Sequence, residues 1–131
     1  MKFERKHWAL WFLAAGLFNF CMGGPIFFAP GWSYQLAYIG EADPAALRFW
    51  SDFGFAVLLI GVGYFIVAVN VDKNRGIVWL GIFAKLFDVI VLTVRWSDGL
   101  AHAIVLFPAA IDGAFVLACV LFVRHSKRNV E

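Results

Sequence analysis

The chain has 131 residues and a formal net charge of +2; 63% of its residues are hydrophobic and 15% are charged. An ordinary soluble domain has about 25% charged residues, and a small one buries only about two-thirds of its unfolded surface. This composition, with a mean hydropathy of +0.80, therefore excludes a soluble globular fold. The basic residues lie at the ends of apolar segments and are not interleaved with stacking aromatics, which argues against a nucleic-acid partner.

Four apolar segments are each long enough to cross a bilayer, since its hydrocarbon core of ~30 Å needs about 20 helical residues. They cover residues 8–28, 45–69, 76–96 and 100–123. The sequence thus predicts one all-α domain over residues 1–131, an integral membrane antiparallel four-helix bundle.

The first segment has a basic start like that of a signal peptide, but no A-x-A cleavage site follows, so we expect it to be retained as a span. Asn19 lies near its middle, on one face with Gly16 and Gly23. Its amide is expected to make either an interhelical hydrogen bond or a ligand contact. Pro25 is expected to kink or end the helix.

Residues 30–44 interrupt the hydropathy and bring three amphipathic aromatic residues close together in the chain, namely Trp32, Tyr34 and Tyr38. Such residues favour the headgroup level of a membrane. The segment is therefore predicted to be an interfacial loop or short helix across one mouth of the bundle. It would act either as a lid or as a plain anchor.

The second segment places Arg48 and Asp52 four residues apart, a spacing that allows an ion pair within the helix. Asp52 lies about 10 Å below the helix start, so water could also reach it. Gly54 and Gly61 form a small-residue stripe almost opposite Asp52, suited to close helix packing.

The third segment has two charged residues, Lys85 and Asp88, inside its apolar run. A central Lys or Asp costs about 2.5–3.5 kcal/mol on insertion scales. Both side chains are three residues apart on one helix face and should therefore face the protein interior. Neighbouring helices are expected to supply their partners.

A tight turn at residues 97–99 leads to the fourth segment, which has His102 near its start and Asp112 near its middle. Pro108 is expected to loosen one backbone bond in the preceding turn. Three alanines repeat every four residues on the face opposite Asp112, and this stripe is expected to face outward and to pack on a second copy of the chain: Ala110, Ala114 and Ala118.

The two cysteines, Cys21 and Cys119, fall in the first and last spans at different depths, too far apart for a disulfide. We expect both to be buried apolar thiols, since a CxxC pair is missing. His102 has no second His or Cys at ligand spacing, so no metal site is expected, and the sequence indicates no cofactor.

The basic residues predict the orientation of the chain. If four spans alternate, most of them fall on one side: Lys2, Arg5, Lys6, Lys73, Arg75, Arg124, Lys127 and Arg128. The positive-inside rule then places both termini in the cytoplasm.

With this topology, polar residues of different spans come to similar depths. The predicted polar core or ligand site consists of Asn19, Asp52, Lys85, Asp88 and Asp112. The outer rim is predicted to consist of Arg48, Arg95 and His102. This set is expected to form either a structural ion pair, an aromatic-walled pocket with a polar floor, or a proton relay through the three aspartates.

Several motifs in chain order resemble small four-helix bacterial membrane proteins grouped around the DoxX-like families. They are F-N-x4-G-P at 18–25, W-x-D-x-G at 50–54, G-V-G-Y at 61–64, D-x-N-R at 72–75 and G-I-x-x-K at 81–85, followed by Asp112. The resemblance covers most of the chain and implies the four-helix fold and an inward-facing Lys85. Relatives of this type are implicated in thiol oxidation or sterol isomerisation, but this chain lacks the cysteine pairs of the first and the His-Glu-Glu pattern of the second.

From these observations we expect a multi-pass protein of the bacterial cytoplasmic membrane. Its expected role is non-enzymatic: it would be an accessory protein that binds a membrane lipid or a small amphipathic ligand. Two alternatives are a small proton-coupled transporter and a lipid-modifying enzyme with an Asp as general acid or base.

Overall fold

The computed structural model describes residues 5–127, with side chains described for residues 5–124. It is all-helical, and its helices are α1 (Arg5–Phe28), α2 (Pro30–Ala37), α3 (Pro44–Val69), α4 (Arg75–Ser97) and α5 (Leu106–Lys127). A 3-10 turn at Ala103–Val105 precedes α5. Four segments are long and apolar enough to cross a membrane: Arg5–Phe28, Pro44–Val69, Arg75–Ser97 and Ala103–Arg124. Of the basic residues used to predict orientation, Lys2, Arg128 and the side chain of Lys127 lie outside the described part.

Short-range signals in the sequence set where two of these helices begin and end. The Asp43 side chain caps α3 by accepting a 2.7 Å hydrogen bond from the backbone N–H of Ala46, and Pro44 occupies the first turn. At the same end of the molecule, α4 ends at Ser97 and Gly99 has a φ of 71°, in the left-handed region that favours glycine. The turn at residues 97–99 thus forms where the sequence predicts it.

The last helix begins later than the sequence indicates, at Leu106 and not at residue 100. The backbone before it bonds to the end of α2: Ile39 N–H donates to Leu100 O at 3.0 Å, and His102 N–H to Ala37 O at 2.9 Å. Because these backbone groups pair with another segment, they are not available for a helix. The segment after α2 is thereby attached to the start of the last span.

The two prolines within long helices both lie close to a helix end. Pro108 is the third residue of α5, where a backbone N–H has no partner inside the helix in any case. The turn before Pro108 is the 3-10 turn Ala103–Val105, and the expected loosening of a backbone bond there stays a prediction. Pro25 lies within the last turn of α1, and the helix ends three residues later at Phe28.

The glycines of α3 contact α1 at very short range. A Cβ atom at Gly54 would lie 2.6 Å from the backbone nitrogen of Phe27, and one at Gly61 would lie 2.8 Å from the ring of Phe20. The predicted small-residue stripe therefore packs on the first span. Helix α1 makes its most extensive contacts with α3, and α4 makes its most extensive contacts with α5.

The buried apolar side chains form two clusters, one toward each end of the molecule. The larger one includes the rings of Phe12, Tyr64 and Phe115, and Phe12 and Tyr64 are fully buried. The smaller one contains Tyr38, Ala101 and Val105. Along α1, α4 and α5, the buried polar residues lie between these clusters.

The outer surface of the molecule is largely apolar, with exposed side chains such as Phe49, Phe87 and Leu117. Apolar surface of this extent suits contact with lipid chains. In α5, Ala110 and Ala114 are exposed and Ala118 is half-buried, so the first two residues of the predicted alanine stripe face outward.

Candidate functional site

The side chain of Lys85 joins three helices in the middle of the molecule. Its Nζ donates to Asn19 Oδ1 on α1 at 2.6 Å and lies 2.7 Å from Asp112 Oδ1 on α5. All three residues are buried, with exposed fractions of 5% for Lys85, 0% for Asn19 and 4% for Asp112. The structure therefore brings together three of the five residues of the predicted polar core.

The positions of these three side chains follow from the apolar faces of their helices. Asn19 lies on the buried face of α1 with Phe12, Gly16 and Gly23. Lys85 likewise lies on the buried face of α4, which also contains Val78. The helix faces that pack against other helices thus direct these polar groups inward.

Two further polar atoms near this site, Asn19 Nδ2 and the hydroxyl oxygen of Tyr64, are buried and lack a hydrogen-bond partner within the described residues. Tyr64 packs close to Gly81, where any larger side chain would meet its hydroxyl group. An unpaired buried polar group costs about 1–3 kcal/mol. Asn19 and Tyr64 line a small space of about 160 Å³ together with Lys85 and Asp112.

Asp88, one turn further along α4 than Lys85, is half-buried. Neither a hydrogen bond nor an ion pair joins its carboxylate to another residue in the range 5–127. Asp88 thus lies near Lys85, but unlike Asp112 it forms no ion pair with the Lys85 ammonium.

The remaining member of the predicted polar core, Asp52, is exposed and does not join the cluster. The reason is the packing of α3, whose glycine stripe faces α1 and leaves the opposite side turned outward. Arg48 is also exposed, and among the described residues no ion pair connects it with Asp52.

Of the predicted rim residues, Arg95 makes a specific contact. Its Nη1 donates to the Tyr38 hydroxyl at 2.7 Å, and its guanidinium carbon lies 5.2 Å from the centre of that ring. Burial raises the pKa of Tyr38, and the neighbouring Arg95 charge opposes that shift. His102 is exposed. These residues lie at the α2 end of the bundle.

The predicted interfacial segment contains the short helix α2, which packs on α3 through residues that the sequence analysis did not assign to the site. The indole N–H of Trp50 donates to Ser33 Oγ at 2.9 Å. The Trp50 ring also packs against those of Tyr34 and Tyr38, with centroids 6.2 and 5.2 Å away. Trp32 is 61% exposed. The signal in the sequence was the position of Trp50 near the start of a span, where aromatics favour an interface.

A cavity of about 310 Å³ lies between α2 and the buried charges. Lys85, Asp88 and Asp112 line its polar end. Its apolar walls include the aromatic residues Phe18, Trp32, Trp50, Phe53 and Phe107. We call this space the ligand cavity; its volume lies within the range of about 300–1,000 Å³ that is usual for small-molecule sites.

A second cavity of about 530 Å³ lies between α3 and α4 and reaches Tyr38 and Arg95. Four residues line both cavities: Trp50, Phe53, Asp88 and Leu92. The Asp88 carboxylate is therefore placed where the two spaces adjoin.

The cysteines are both free, but only one is buried. Cys119 lies in the larger core cluster. Cys21 is exposed and lines the ligand cavity, so the expectation that both thiols are buried was wrong. Membership of a span does not settle which side of the helix a residue occupies.

Over the described residues, no three His, Cys, Asp or Glu side chains come together as a metal site would require.

Comparison with known proteins finds no counterpart. No family model matches the chain, and neither a characterised protein nor a solved structure is significantly similar to it. Its function is therefore inferred from the geometry of the site.

Proposed function

We propose that this is an accessory protein of the bacterial cytoplasmic membrane that holds a lipid or another amphipathic molecule in the ligand cavity. One observation carries the proposal: a cavity with aromatic and aliphatic walls ends on buried charged side chains at the middle of the spans. This combination matches a ligand with an apolar body and a polar end. The resemblance to DoxX-like proteins is compatible with an accessory role.

The energetics of the buried charges support a ligand site over a purely structural ion pair. Charged groups within spans are costly and usually mark a functional site. The Lys85–Asp112 pair could fix the helix register without any space beside it, yet both residues line the ligand cavity. The cavity gives a ligand access to charges that the fold maintains at a cost.

We further propose that the four spans form an antiparallel bundle with both termini in the cytoplasm. The contacts of α1 with α3 support this direction, because Gly16 lies against Phe65 while Gly23 lies against Gly54. The positive-inside rule supports the orientation. In this arrangement α2 lies at the outer surface, over the ligand cavity.

The site residues then have distinct roles. Asp112 and Asn19 hold the Lys85 ammonium at the floor of the cavity, while Trp50 and Ser33 attach α2 to α3 beside it. The alanine stripe of α5 faces outward and would serve as the contact surface of a homo-oligomer. A proton relay through the three aspartates has less support, because Asp52 is exposed and lines neither cavity.

A pair of variants on adjacent residues of α3 tests the binding function. Val57 lines the ligand cavity, whereas Ala56 is exposed and lines neither cavity. We expect native mass spectrometry to detect a copurified amphipathic molecule on the wild type and on Ala56→Phe. Val57→Phe should lose most of it, because the larger side chain takes up space inside the cavity.

The proposal would be contradicted if the wild type carried no such molecule under gentle detergent extraction. It would also be contradicted if a correctly folded Val57→Phe variant retained as much as Ala56→Phe. Thermal unfolding of both variants provides the folding control.

A further inference from the structure

We propose that the ligand has a cationic head, such as a lipophilic amine or a quaternary ammonium group, and that Asp88 is its counter-ion. This inference rests on the proposed function and narrows the chemical class of the ligand. It follows from the charges that the fold leaves unpaired and from the aromatic rings around them.

The polar end of the ligand cavity contains one basic and two acidic side chains. The Lys85 ammonium contacts Asp112 at 2.7 Å and Asn19 at 2.6 Å, so its charge is already compensated. In the described chain, Asp88 has neither an ion-pair nor a hydrogen-bond partner, although it is half-buried. One negative charge is therefore left facing the cavity, and a ligand cation would neutralise it.

The walls beside Asp88 have the chemistry that organic cations prefer. Trp50 and Phe53 line both cavities together with Asp88, and their rings stack with centroids 5.4 Å apart. Trp32 and Phe107 line the same cavity. The face of an aromatic ring attracts a cation, most strongly in Trp and where water is excluded.

An anionic head fits the same place poorly. To bind it, Lys85 would have to give up Asp112 or Asn19, and Asp88 would repel it. Arg95 does not line the ligand cavity; it lines the neighbouring one and is bonded to Tyr38. The unpaired charge available in the ligand cavity is thus negative.

Three amphipaths with the same twelve-carbon chain test the inference: dodecyltrimethylammonium, dodecanol and dodecyl phosphate. Their dissociation constants are measured on the wild type in nanodiscs of digalactosyldiacylglycerol, an uncharged lipid whose head contains no ammonium group. We expect the cationic probe to bind about tenfold more tightly than the neutral one, and the anionic probe to bind most weakly.

Variants of two aspartates separate this contact from a general effect of charge. Asp88→Asn should abolish the preference for the cation, and Asp88→Glu, which keeps the carboxylate, should preserve it. Asp52→Asn is the matched control, because it removes an equal charge outside both cavities and should leave the preference unchanged.

The outcomes distinguish this inference from the proposed function. If all three probes bind equally and Asp88→Asn changes nothing, but Val57→Phe abolishes binding, the cavity binds ligands and the inference is wrong. A preference for the anionic probe would also overturn it. If no probe binds and Val57→Phe behaves as the wild type does, both proposals fail.

Discussion

At the scale of single residues, the balance of charge around Lys85 organises the site. Its ammonium lies within 2.7 Å of oxygen atoms from two other helices and is 5% exposed. Breaking a buried ion pair by removing one partner leaves the other charge uncompensated, which costs about 3–5 kcal/mol. Replacing both partners by apolar residues is often neutral or stabilising.

We therefore expect Lys85→Met to lower the free energy of unfolding by about 3–5 kcal/mol. The double variant Lys85→Met/Asp112→Leu should recover most of that loss, because no unpaired charge is left. Unfolding in mixed micelles measures both. Arg48→Met, at an exposed arginine, should change stability by less than about 1 kcal/mol. If Lys85→Met alone were as stable as the wild type, the Lys85–Asp112 pair would not be buried as described.

The sequence predicted that the charged residues in the middle of a span face inward, because exposing such a charge to lipid chains is costly. Lys85 and Asp112 follow from that cost alone. Asp52 was assigned to the same core, but it lies near a helix start, where an outward-facing charge costs little free energy. The glycine stripe on the opposite face packs on α1 and therefore turns Asp52 outward. Cys21 was misassigned for a related reason, since a thiol is tolerated on either side of an apolar helix.

At the scale of helices, hydropathy was sufficient to predict the four long apolar segments to within about three residues at each end. The fourth starts later because the backbone at Leu100 and His102 bonds to residues near the end of α2. Hydropathy does not report such long-range backbone pairing. The short helix α2 was one of two predicted forms of its segment, whereas its attachment through Trp50 and Ser33 required the structure.

The contact between α1 and α3 provides a prediction at this scale. A methyl group at Gly54 would lie 2.6 Å from a backbone nitrogen of α1, which cannot move aside as a flexible side chain could. We expect Gly54→Ala to lower the free energy of unfolding by about 1–3 kcal/mol through overpacking.

Gly113 is the matched control, since it lies inside α5 and a Cβ atom there would meet nothing within 4 Å. Gly113→Ala should be neutral or slightly stabilising, because alanine is favoured over glycine inside a helix. Equal losses in both variants, measured by the same unfolding titration, would mean that the spans do not approach each other closely at Gly54.

At the scale of the whole molecule, an all-helical chain with four apolar helices long enough to cross a membrane followed from the sequence, but the cavities did not. Their walls come from several helices that are distant in sequence, and their volumes depend on how α2 and the spans pack. The sequence could predict that polar residues of different spans reach similar depths. It could not predict that Asp88 would lie where two cavities adjoin.

The central claim is that a cavity open to the outer side of the membrane leads to the buried charges. Cysteine labelling tests it most directly. In a background with Cys21→Ser and Cys119→Ala, a small membrane-impermeant thiol reagent is added from outside to variants that each carry one new cysteine. Asp98→Cys reports the loop that we propose lies outside, and Lys73→Cys the loop that we propose lies inside. Val57→Cys and Ala56→Cys compare the cavity wall with an exposed position outside both cavities.

We expect rapid labelling of Asp98→Cys and no labelling of Lys73→Cys until the membrane is opened. Val57→Cys should react from outside, and an added amphipath should protect it, whereas Ala56→Cys should stay unlabelled. Labelling of Lys73→Cys from outside, or equal reactivity of Val57→Cys and Ala56→Cys, would contradict the orientation or the cavity, respectively.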